Sequence, residues 1–294
     1  MGTLRLSACG VFVVILFSAP ALASEPSSTQ SGPVLDRPAI ELPGGAQVLL
    51  TEPAGGSGVY NLLSNVPAYD WYHGCGPTAV ASIIGYYDVL GYSNLFDAAG
   101  WAEVKLTSNV QDQISSPEHN AKYDPHPDNP ILPVPPNTSI ACWFQTSVNL
   151  EFGWSYLSYS DDAFDGYVTS KGYECTSAYT KYNDSSGWNF LVQEIDAGRP
   201  LLFLVDTNGD GSTDHFVPVF GYEDRGEDGK FYACYDTWNE GETVRWERAR
   251  AMASGRNWGV GYVTWAHLTP EPGTVVLLAF AACLPLVRRR RRAA

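Results

Sequence analysis

The stretch His73-Gly74-Cys75-Gly76-Pro77-Thr78-Ala79-Val80 places one cysteine between two glycines, shortly before a proline. Proline is favoured at the first position of a helix, so a helix is expected to begin around Gly76-Pro77. Apolar residues then recur at helical spacing and predict one buried face. These residues are Val80, Ile83, Ile84 and Tyr87. Cys75 is therefore predicted to lie at the start of a packed helix.

The predicted position of Cys75 favours a reactive thiolate. Unpaired backbone N–H groups and the positive end of the helix dipole both stabilise negative charge at a helix start. The small glycines on each side would let a substrate backbone approach the sulfur. The alternative is a buried structural cysteine, which is the commoner fate of this residue type.

Two residues far along the chain are candidates to assist Cys75. A nucleophilic cysteine needs a base, and the base needs an orienting acceptor. His215 opens one predicted strand and Asp236 closes the next. Adjacent antiparallel strands would set Asp236 beside His215, where it would hold the imidazole tautomer. Taken separately, His215 could cap a turn and Asp236 could be a solvated strand end.

The order of the predicted elements indicates an α+β fold. Helical patterns follow Cys75 and recur at Asp161–Lys171 and Trp188–Ala197. Residues 115–138 have the composition of a long loop. A short strand is predicted at Ala46–Thr51. Strand patterns separated by Gly/Asp turns then run to the end of the body. They are Leu201–Val205, His215–Tyr222, Phe231–Asp236, Thr243–Glu247 and Val260–Trp265.

Composition and charge exclude two classes of protein. The chain has 294 residues, 45% of them hydrophobic and 13% aromatic, which excludes wholesale disorder. The formal net charge is -14, and residues 24–269 hold only 12 of the basic side chains against 31 acidic ones. Such a body repels phosphate backbones, so no nucleic-acid partner is expected.

Together the motifs resemble the C39-like branch of the papain-type cysteine peptidases. The stretches that carry the resemblance are Gly74–Ala79, Tyr86–Asp88, Asp214–Val217, Gly221–Tyr222 and Tyr235–Trp238. The last of these is similar to the acceptor-small-Trp segment that follows the histidine in papain relatives. The resemblance implies a papain-like α+β domain, assigned to residues 59–269. A helical part with the catalytic cysteine at a helix start would come first, and an antiparallel sheet would follow.

The resemblance also implies a reaction, the hydrolysis of peptide bonds in a peptide or protein substrate through a thioester. Cys75 would be the nucleophile, His215 the general base and acid, and Asp236 the orienter. The family usually places a glutamine about six residues before the cysteine as an oxyanion donor; here Tyr69 holds that place. No cofactor is required. Two alternatives stay open: an amidase or acyltransferase acting on cell-wall or matrix material, and a catalytically weak binding protein of the surface or matrix.

A cluster of oxygen-bearing side chains lies just before His215. The stretch Asp206–Asp214 begins with alternating Asp and Asn residues around a glycine turn, as a calcium loop requires. The candidate ligands of a structural calcium ion are Asp206, Asn208, Asp210 and Asp214. The twelfth position is Val217, which lacks the bidentate Glu of an EF-hand. The alternative is a polar hairpin turn, because Asn-Gly and Asp-Gly are strong turn formers.

Both ends of the chain have the pattern of targeting segments. Residues 1–23 read as a signal peptide, with Arg5, an apolar run and the small-x-small site Ala21-Leu22-Ala23. A lead-in rich in Pro, Gly and Ser follows at residues 24–58. Residues 270–294 join Pro270-Glu271-Pro272, a short apolar stretch and five arginines. The apolar part would rise only about 21 Å as a helix, short of a hydrocarbon core of about 30 Å.

This C-terminal pattern closely resembles the PEP-CTERM sorting signal. The resemblance implies export to the cell surface or outside the cell. Signal peptidase and exosortase would be the processing partners. The apolar segment would form a transmembrane helix that anchors the chain only transiently. An ordinary tail anchor is the alternative.

The cysteines of the body are few for a domain of this size. They are Cys75, Cys142, Cys175 and Cys234. Stability must therefore come mainly from the core. A Cys142–Cys175 disulfide is allowed but cannot be deduced from spacing. No CxxC pair exists, which disfavours a structural zinc site.

Overall fold

The computed structural model of the chain describes residues 30–31, 59–96, 106–121, 138–147, 153–238 and 243–269. The two predicted targeting segments, residues 1–23 and 270–294, and the predicted strand Ala46–Thr51 lie outside these ranges. Within them, no helix is both long and apolar enough to cross a membrane.

The helices lie mainly in the first half of the described chain. Their bounds are α1 Cys75–Val89, α2 Ser108–Ile114, α3 Pro117–Ala121, α4 Ile140–Trp143, α5 Ser160–Ser170 and α6 Asp184–Asp196. Helix α1 begins at Cys75, and every residue from there to Asp88 is buried. The expected single buried face is therefore an underestimate, because helices α2, α4 and α5 and the sheet all pack around α1. Helix α3 lies within the segment predicted to be a long loop.

The strands form one large and one small sheet. Their bounds are β1 Gln30–Ser31, β2 Val59–Leu62, β3 Ser155–Tyr156, β4 Glu174–Lys181, β5 Leu201–Asp206, β6 His215–Asp224, β7 Lys230–Cys234, β8 Arg245–Arg248 and β9 Gly259–Thr269. The large sheet has seven strands in the order β4-β9-β5-β6-β7-β8, with β2 also paired to β6. All of these pairs are antiparallel, so the α+β prediction is confirmed.

Strand β6 organises the centre of the sheet. Its first half pairs with β5, where His215 lies opposite Val205. Its second half pairs with β2 on the same edge, and β7 pairs along the other edge. His215 therefore lies at the start of β6, next to the loop of the β5–β6 hairpin, in a fixed register.

The sheet is covered on both faces, which explains why β5 and β6 are continuous apolar runs. Leu202 and Leu204 point to the core that contains α1. Leu201, Phe203 and Val205 point to the other core, with residues of α6. The alternation along β5 thus divides the apolar side chains between two cores, and Cys75 lies in the first of them.

Candidate active site

The two glycines that flank Cys75 are required by packing. Gly74 has φ 131°, a conformation that other residues rarely adopt. A Cβ added to Gly74 would lie 2.7 Å from the carbonyl oxygen of Gly153, and one added to Gly76 would lie 2.7 Å from Cε1 of Phe144. The expectation that the glycines leave room for a substrate is therefore corrected: the space beside each is filled by the protein itself.

Thr78 fixes the loop that precedes Cys75. Its hydroxyl donates to the carbonyl oxygen of Gly74 at 2.7 Å and accepts from the backbone N–H of Tyr72 at 3.0 Å. The side chain is fully buried. One threonine in the first turn of α1 therefore holds the approach to the helix start in a single conformation.

The sulfur of Cys75 lies against the first residues of strand β6. The backbone N–H of Phe216 donates to Sγ at 3.5 Å. Cys75 and His215, the residue before Phe216, are both 0% exposed. Helix α1 and strand β6 therefore bring the sulfur of the predicted nucleophile against the backbone of the residue after the predicted base, which lies 140 positions later in the sequence.

The imidazole of His215 has a defined tautomer. Its Nε2 lies 2.7 Å from the backbone carbonyl oxygen of Asp236. A carbonyl oxygen can only accept a hydrogen bond, so Nε2 carries the proton. In the neutral ring the lone pair is then on Nδ1. The site thus holds an imidazole whose basic nitrogen is Nδ1.

Asp236 meets His215 through its backbone carbonyl, and its carboxylate shapes the turn that follows. Oδ1 accepts the backbone N–H of Trp238 at 3.0 Å, and Oδ2 lies 3.4 Å from Nη1 of Arg245. Thr237, between them, has φ 58°. The carbonyl oxygen of Thr237 accepts the N–H of Trp71, which ties this turn to the loop before Cys75.

Two tryptophans enclose the imidazole of His215. The ring of Trp238 stacks on it with centroids 3.9 Å apart and an interplanar angle of 25°. Trp258 presents an edge at 6.2 Å. The guanidinium of Arg245 lies 4.0 Å from the Trp258 ring centroid and also pairs with Glu247. Sequence reasoning missed both Arg245, which belongs to no recognised motif, and the role of Thr78, which lies within the motif Gly74–Ala79.

Tyr69, the predicted oxyanion donor, lies in the core near Phe96. Its side chain is 2% exposed and packs edge-on against Phe96. The backbone N–H of Phe96 is bound by Asp88, in the last turn of α1. Burial and the nearby Asp88 both raise the pKa of the Tyr69 hydroxyl. The role of Tyr69 as oxyanion donor stays a prediction.

The proposed calcium loop is closed by hydrogen bonds of its own. The buried carboxylate of Asp206 accepts the N–H groups of Gly209 and Gly211 at 2.6 and 2.7 Å. Asp214 accepts both the N–H and the hydroxyl of Thr207. Asn208 and Asp210 bond to each other. Within the described ranges no group of three or more His, Cys, Asp or Glu residues could hold a metal ion. These contacts favour the hairpin-turn alternative, and calcium binding stays a prediction.

The disulfide that the sequence allowed is absent. Cys142 and Cys175, both within the described ranges, are free thiols, as is Cys234. The pKa values of Cys175 and Cys234 are raised, mainly by burial. The core, and not a cross-link between these residues, therefore holds their elements together.

Comparison with known families agrees with this geometry. The family described as Peptidase_C39 like matches residues 63–260. The chain belongs to the Peptidase_C39-like family. The match spans α1 and most of the large sheet, and so includes Cys75, His215 and Asp236. A search among curated proteins gives no match. Membership in this family indicates a cysteine-peptidase-like domain.

Proposed function

We propose that the chain is a cysteine peptidase that hydrolyses peptide bonds with Cys75, His215 and Asp236. One observation carries the proposal: the Cys75 sulfur lies on the first residues of β6, where His215 donates Nε2–H to the Asp236 carbonyl oxygen. The Peptidase_C39-like match, which covers all three residues, supports a cysteine-peptidase-like domain as their setting.

The proposed reaction uses the two nitrogens of His215 differently. Nδ1 takes the proton of the Cys75 thiol while Nε2–H stays bound to Asp236. The thiolate attacks the peptide carbonyl carbon, and His215 then protonates the leaving amine. The resulting thioester is hydrolysed by water, which Nδ1 deprotonates, and the thiol is restored. The backbone N–H of Cys75, at the helix start, is the expected donor to the oxyanion.

The test is cleavage of a mixture of peptides derived from an unfolded protein, followed by mass spectrometry. The unchanged chain is expected to generate new peptide ends, and Cys75→Ala and His215→Ala to generate none. Cys175→Ala is the matched control, because it removes a thiol from strand β4 and should leave cleavage intact. Equal cleavage by the Cys75→Ala chain would overturn the proposal.

The amidase or acyltransferase alternative shares the thioester and differs in what resolves it. Hydroxylamine added to the same reaction is the discriminating reagent. A peptidase is expected to give mainly free carboxylates. An acyltransferase would give mainly hydroxamates, because it passes the acyl group to an amine in preference to water.

A second candidate function is a binding protein on the same fold. The observation that favours it is the complete burial of Cys75 and His215, together with the inward placement of Tyr69. A protein of this kind would bind surface or matrix polymer, and its affinity would be unchanged by Cys75→Ala.

We also propose that the protein is exported, on the pattern of residues 1–23 and 270–294. Signal peptidase would cut after Ala23, and exosortase near Pro270–Pro272, after transient anchoring in the membrane. Mass measurement of the protein recovered from outside a Gram-negative cell tests both cuts. Recovery of the intact C-terminal arginines would contradict the second.

A further inference from the structure

A second cysteine–histidine pair lies outside the proposed active site. It consists of Cys142 on α4 and His119 on α3, which are 7% and 1% exposed. The hydroxyl of Ser139 lies 3.2 Å from the Cys142 sulfur. The proposed reaction at Cys75 uses none of these three side chains. The described chain therefore contains a buried nucleophilic group with no role so far.

His119 is oriented in the same way as His215. Its Nε2 lies 2.8 Å from the carbonyl oxygen of Thr146 and must donate to it. The lone pair of the neutral ring is then on Nδ1. Nδ1 is buried and has no hydrogen-bond partner among the described residues that meets normal geometry. Because the His119 side chain lies against the Cys142 thiol, Nδ1 is placed to take the thiol proton.

The surroundings of Cys142 stabilise its thiolate. Burial alone would raise the pKa of this thiol. Interactions of the sulfur with the His119 side chain, the Ser139 hydroxyl and the Thr138 backbone, together with the charge of His119, outweigh burial and lower the pKa to about 6. The opposite holds for Cys175, whose pKa is raised by burial and by Asp165.

Other titratable groups lie on the elements that pack around the pair. His73, in the loop before α1, is close enough to His119 for that charge to lower the His73 pKa. Helix α5 packs on α4 and carries three aspartates, of which Asp165 interacts with Cys175. Glu118 precedes His119 on α3. The groups that set the charge of Cys142 are nevertheless His119, Ser139 and Thr138.

We propose that Cys142 and His119 form a second reactive pair, a modification site for hydroperoxides and other soft electrophiles. The Cys142 sulfur attacks one peroxide oxygen, so that an S–O bond forms and the O–O bond breaks. The sulfur is oxidised to a sulfenic acid, and the hydroperoxide is reduced to an alcohol or water. His119 gives its proton to the departing oxygen, which balances the step.

The test uses the full chain with Cys75→Ala, so that its result does not depend on the proposed peptidase activity. Iodoacetamide labelling is followed by peptide mass mapping as a function of pH. Cys142 is expected to label at least tenfold faster than Cys175 at pH 7, although Cys175 is more exposed. The labelling midpoint of Cys142 should lie near pH 6.

His119→Gln is the decisive variant. Glutamine can still donate a hydrogen bond to Thr146, but it cannot accept the thiol proton as a base. The rate of Cys142 labelling at pH 7 is expected to fall about fivefold or more. Raising the thiol pKa lowers the fraction of thiolate and also makes each thiolate more nucleophilic, and the first effect is the larger. Unchanged slow labelling of Cys175 and Cys234 shows that the variant is folded, and Ser139→Ala provides a second, milder substitution.

The second measurement is treatment of the chain with hydrogen peroxide in the presence of dimedone. A dimedone adduct is expected at Cys142. The yield of this adduct should be lower in His119→Gln. The proposal is overturned if Cys142 labels no faster than Cys175, or if neither His119→Gln nor Ser139→Ala slows it. It is also overturned if peroxide leaves Cys142 without an adduct.

Discussion

Asp236 contributes to the candidate site through two separate parts of the residue. Its carbonyl oxygen fixes the His215 ring, and its carboxylate fixes the turn that carries Trp238. The sequence predicted the pairing of Asp236 with His215, because one predicted strand begins at His215 and the adjacent antiparallel strand ends at Asp236. It could not predict which atoms meet, because that depends on the dihedral angles of the turn.

The first prediction separates these two roles of Asp236. Asp236→Asn keeps an acceptor for the Trp238 N–H and the backbone carbonyl, so the rate of Cys75 alkylation should fall less than about tenfold. Asp236→Ala removes the acceptor and loosens the turn, so most of the general-base contribution, about 10²-fold or more, should be lost. If Asn proves as harmful as Ala, the carboxylate charge itself is the essential feature.

The second prediction concerns Thr78. Thr78→Val removes the buried hydroxyl and leaves the partly buried N–H of Tyr72 without its acceptor. The free energy of unfolding should fall by about 1–3 kcal/mol, the cost of an unsatisfied buried polar group. Urea denaturation measures the loss. Thr78→Ser retains the hydroxyl and is the control, with a smaller loss expected.

Tyr69 and Cys142 show where prediction from residues ends. Counting back from Cys75 located the position of Tyr69, but spacing does not determine which way a side chain points. The pairing of Cys142 with His119 was not predicted at all. The two residues come from helices of five and four residues, which are too short to show a helical periodicity from which their packing could be predicted.

At the scale of elements, the start of α1 is closely packed against α4 and β3. A Cβ at position 76 would lie within 2.7 Å of Phe144 and 2.8 Å of Ser155. Glycine is therefore required in a helix where alanine would otherwise be preferred.

The third prediction follows from this contact. Gly76→Ala should lower the free energy of unfolding by about 1–3 kcal/mol, the cost of overpacking. The double variant Gly76→Ala with Phe144→Leu should lose less than the sum of the two single losses, since leucine frees part of the space. Additive losses would mean that the new methyl group does not contact Phe144.

Glu194 links helix α6 to strand β9. It is 1% exposed, binds Arg199 through both carboxylate oxygens at 2.7 and 2.8 Å, and accepts from His267 at 2.8 Å. Burial raises the pKa of Glu194, but the hydrogen bonds and charges of these two partners outweigh it and lower the pKa below the ordinary value of 4.5.

The fourth prediction is the resulting pH dependence. A carboxyl whose pKa is lower in the folded state contributes its full stability above the unfolded value of 4.5. That contribution is lost as the pH falls through the lower folded pKa. Below pH 4.5 the free energy of unfolding should therefore depend less steeply on pH in Glu194→Gln than in the unchanged chain. Urea denaturation at each pH measures it. Glu174→Gln, at an exposed position on β4, should leave the slope unchanged.

Strand β4 shows why one edge of the sheet was missed. Its sequence is polar and its side chains are exposed or half-buried, because it pairs only with β9. Without an apolar run or clean alternation, nothing indicated a strand there. Strands β5 and β6 were predicted within two residues because both of their faces are buried.

At the scale of the whole molecule, the fold class followed from the order of helical and strand patterns, and the structure confirms it. The pairing of Cys75 with His215 was inferred from a cysteine at a helix start and a histidine that opens a later strand, and the family resemblance implied the same pair. The strand order β4-β9-β5-β6-β7-β8 was not predicted. Antiparallel pairing between strands distant in sequence depends on how the faces of the sheet are covered, which local patterns do not specify.

The fifth prediction concerns the cross-links of the whole domain. Cys142, Cys175 and Cys234 are free thiols. Adding a reductant should therefore leave the Tm unchanged, whereas opening a native disulfide would typically cost about 2–4 kcal/mol. Thermal unfolding with and without reductant measures this. A lower Tm in reductant would indicate a cross-link.

Trp238 is stacked on His215 and is 37% exposed. The fluorescence of an indole in face contact with an imidazole depends on the charge of that ring. Emission of the unchanged chain minus that of Trp238→Phe isolates this one chromophore from the other tryptophans. The difference follows the proton on His215 as the pH is varied, so the protein contains its own optical reporter of the site.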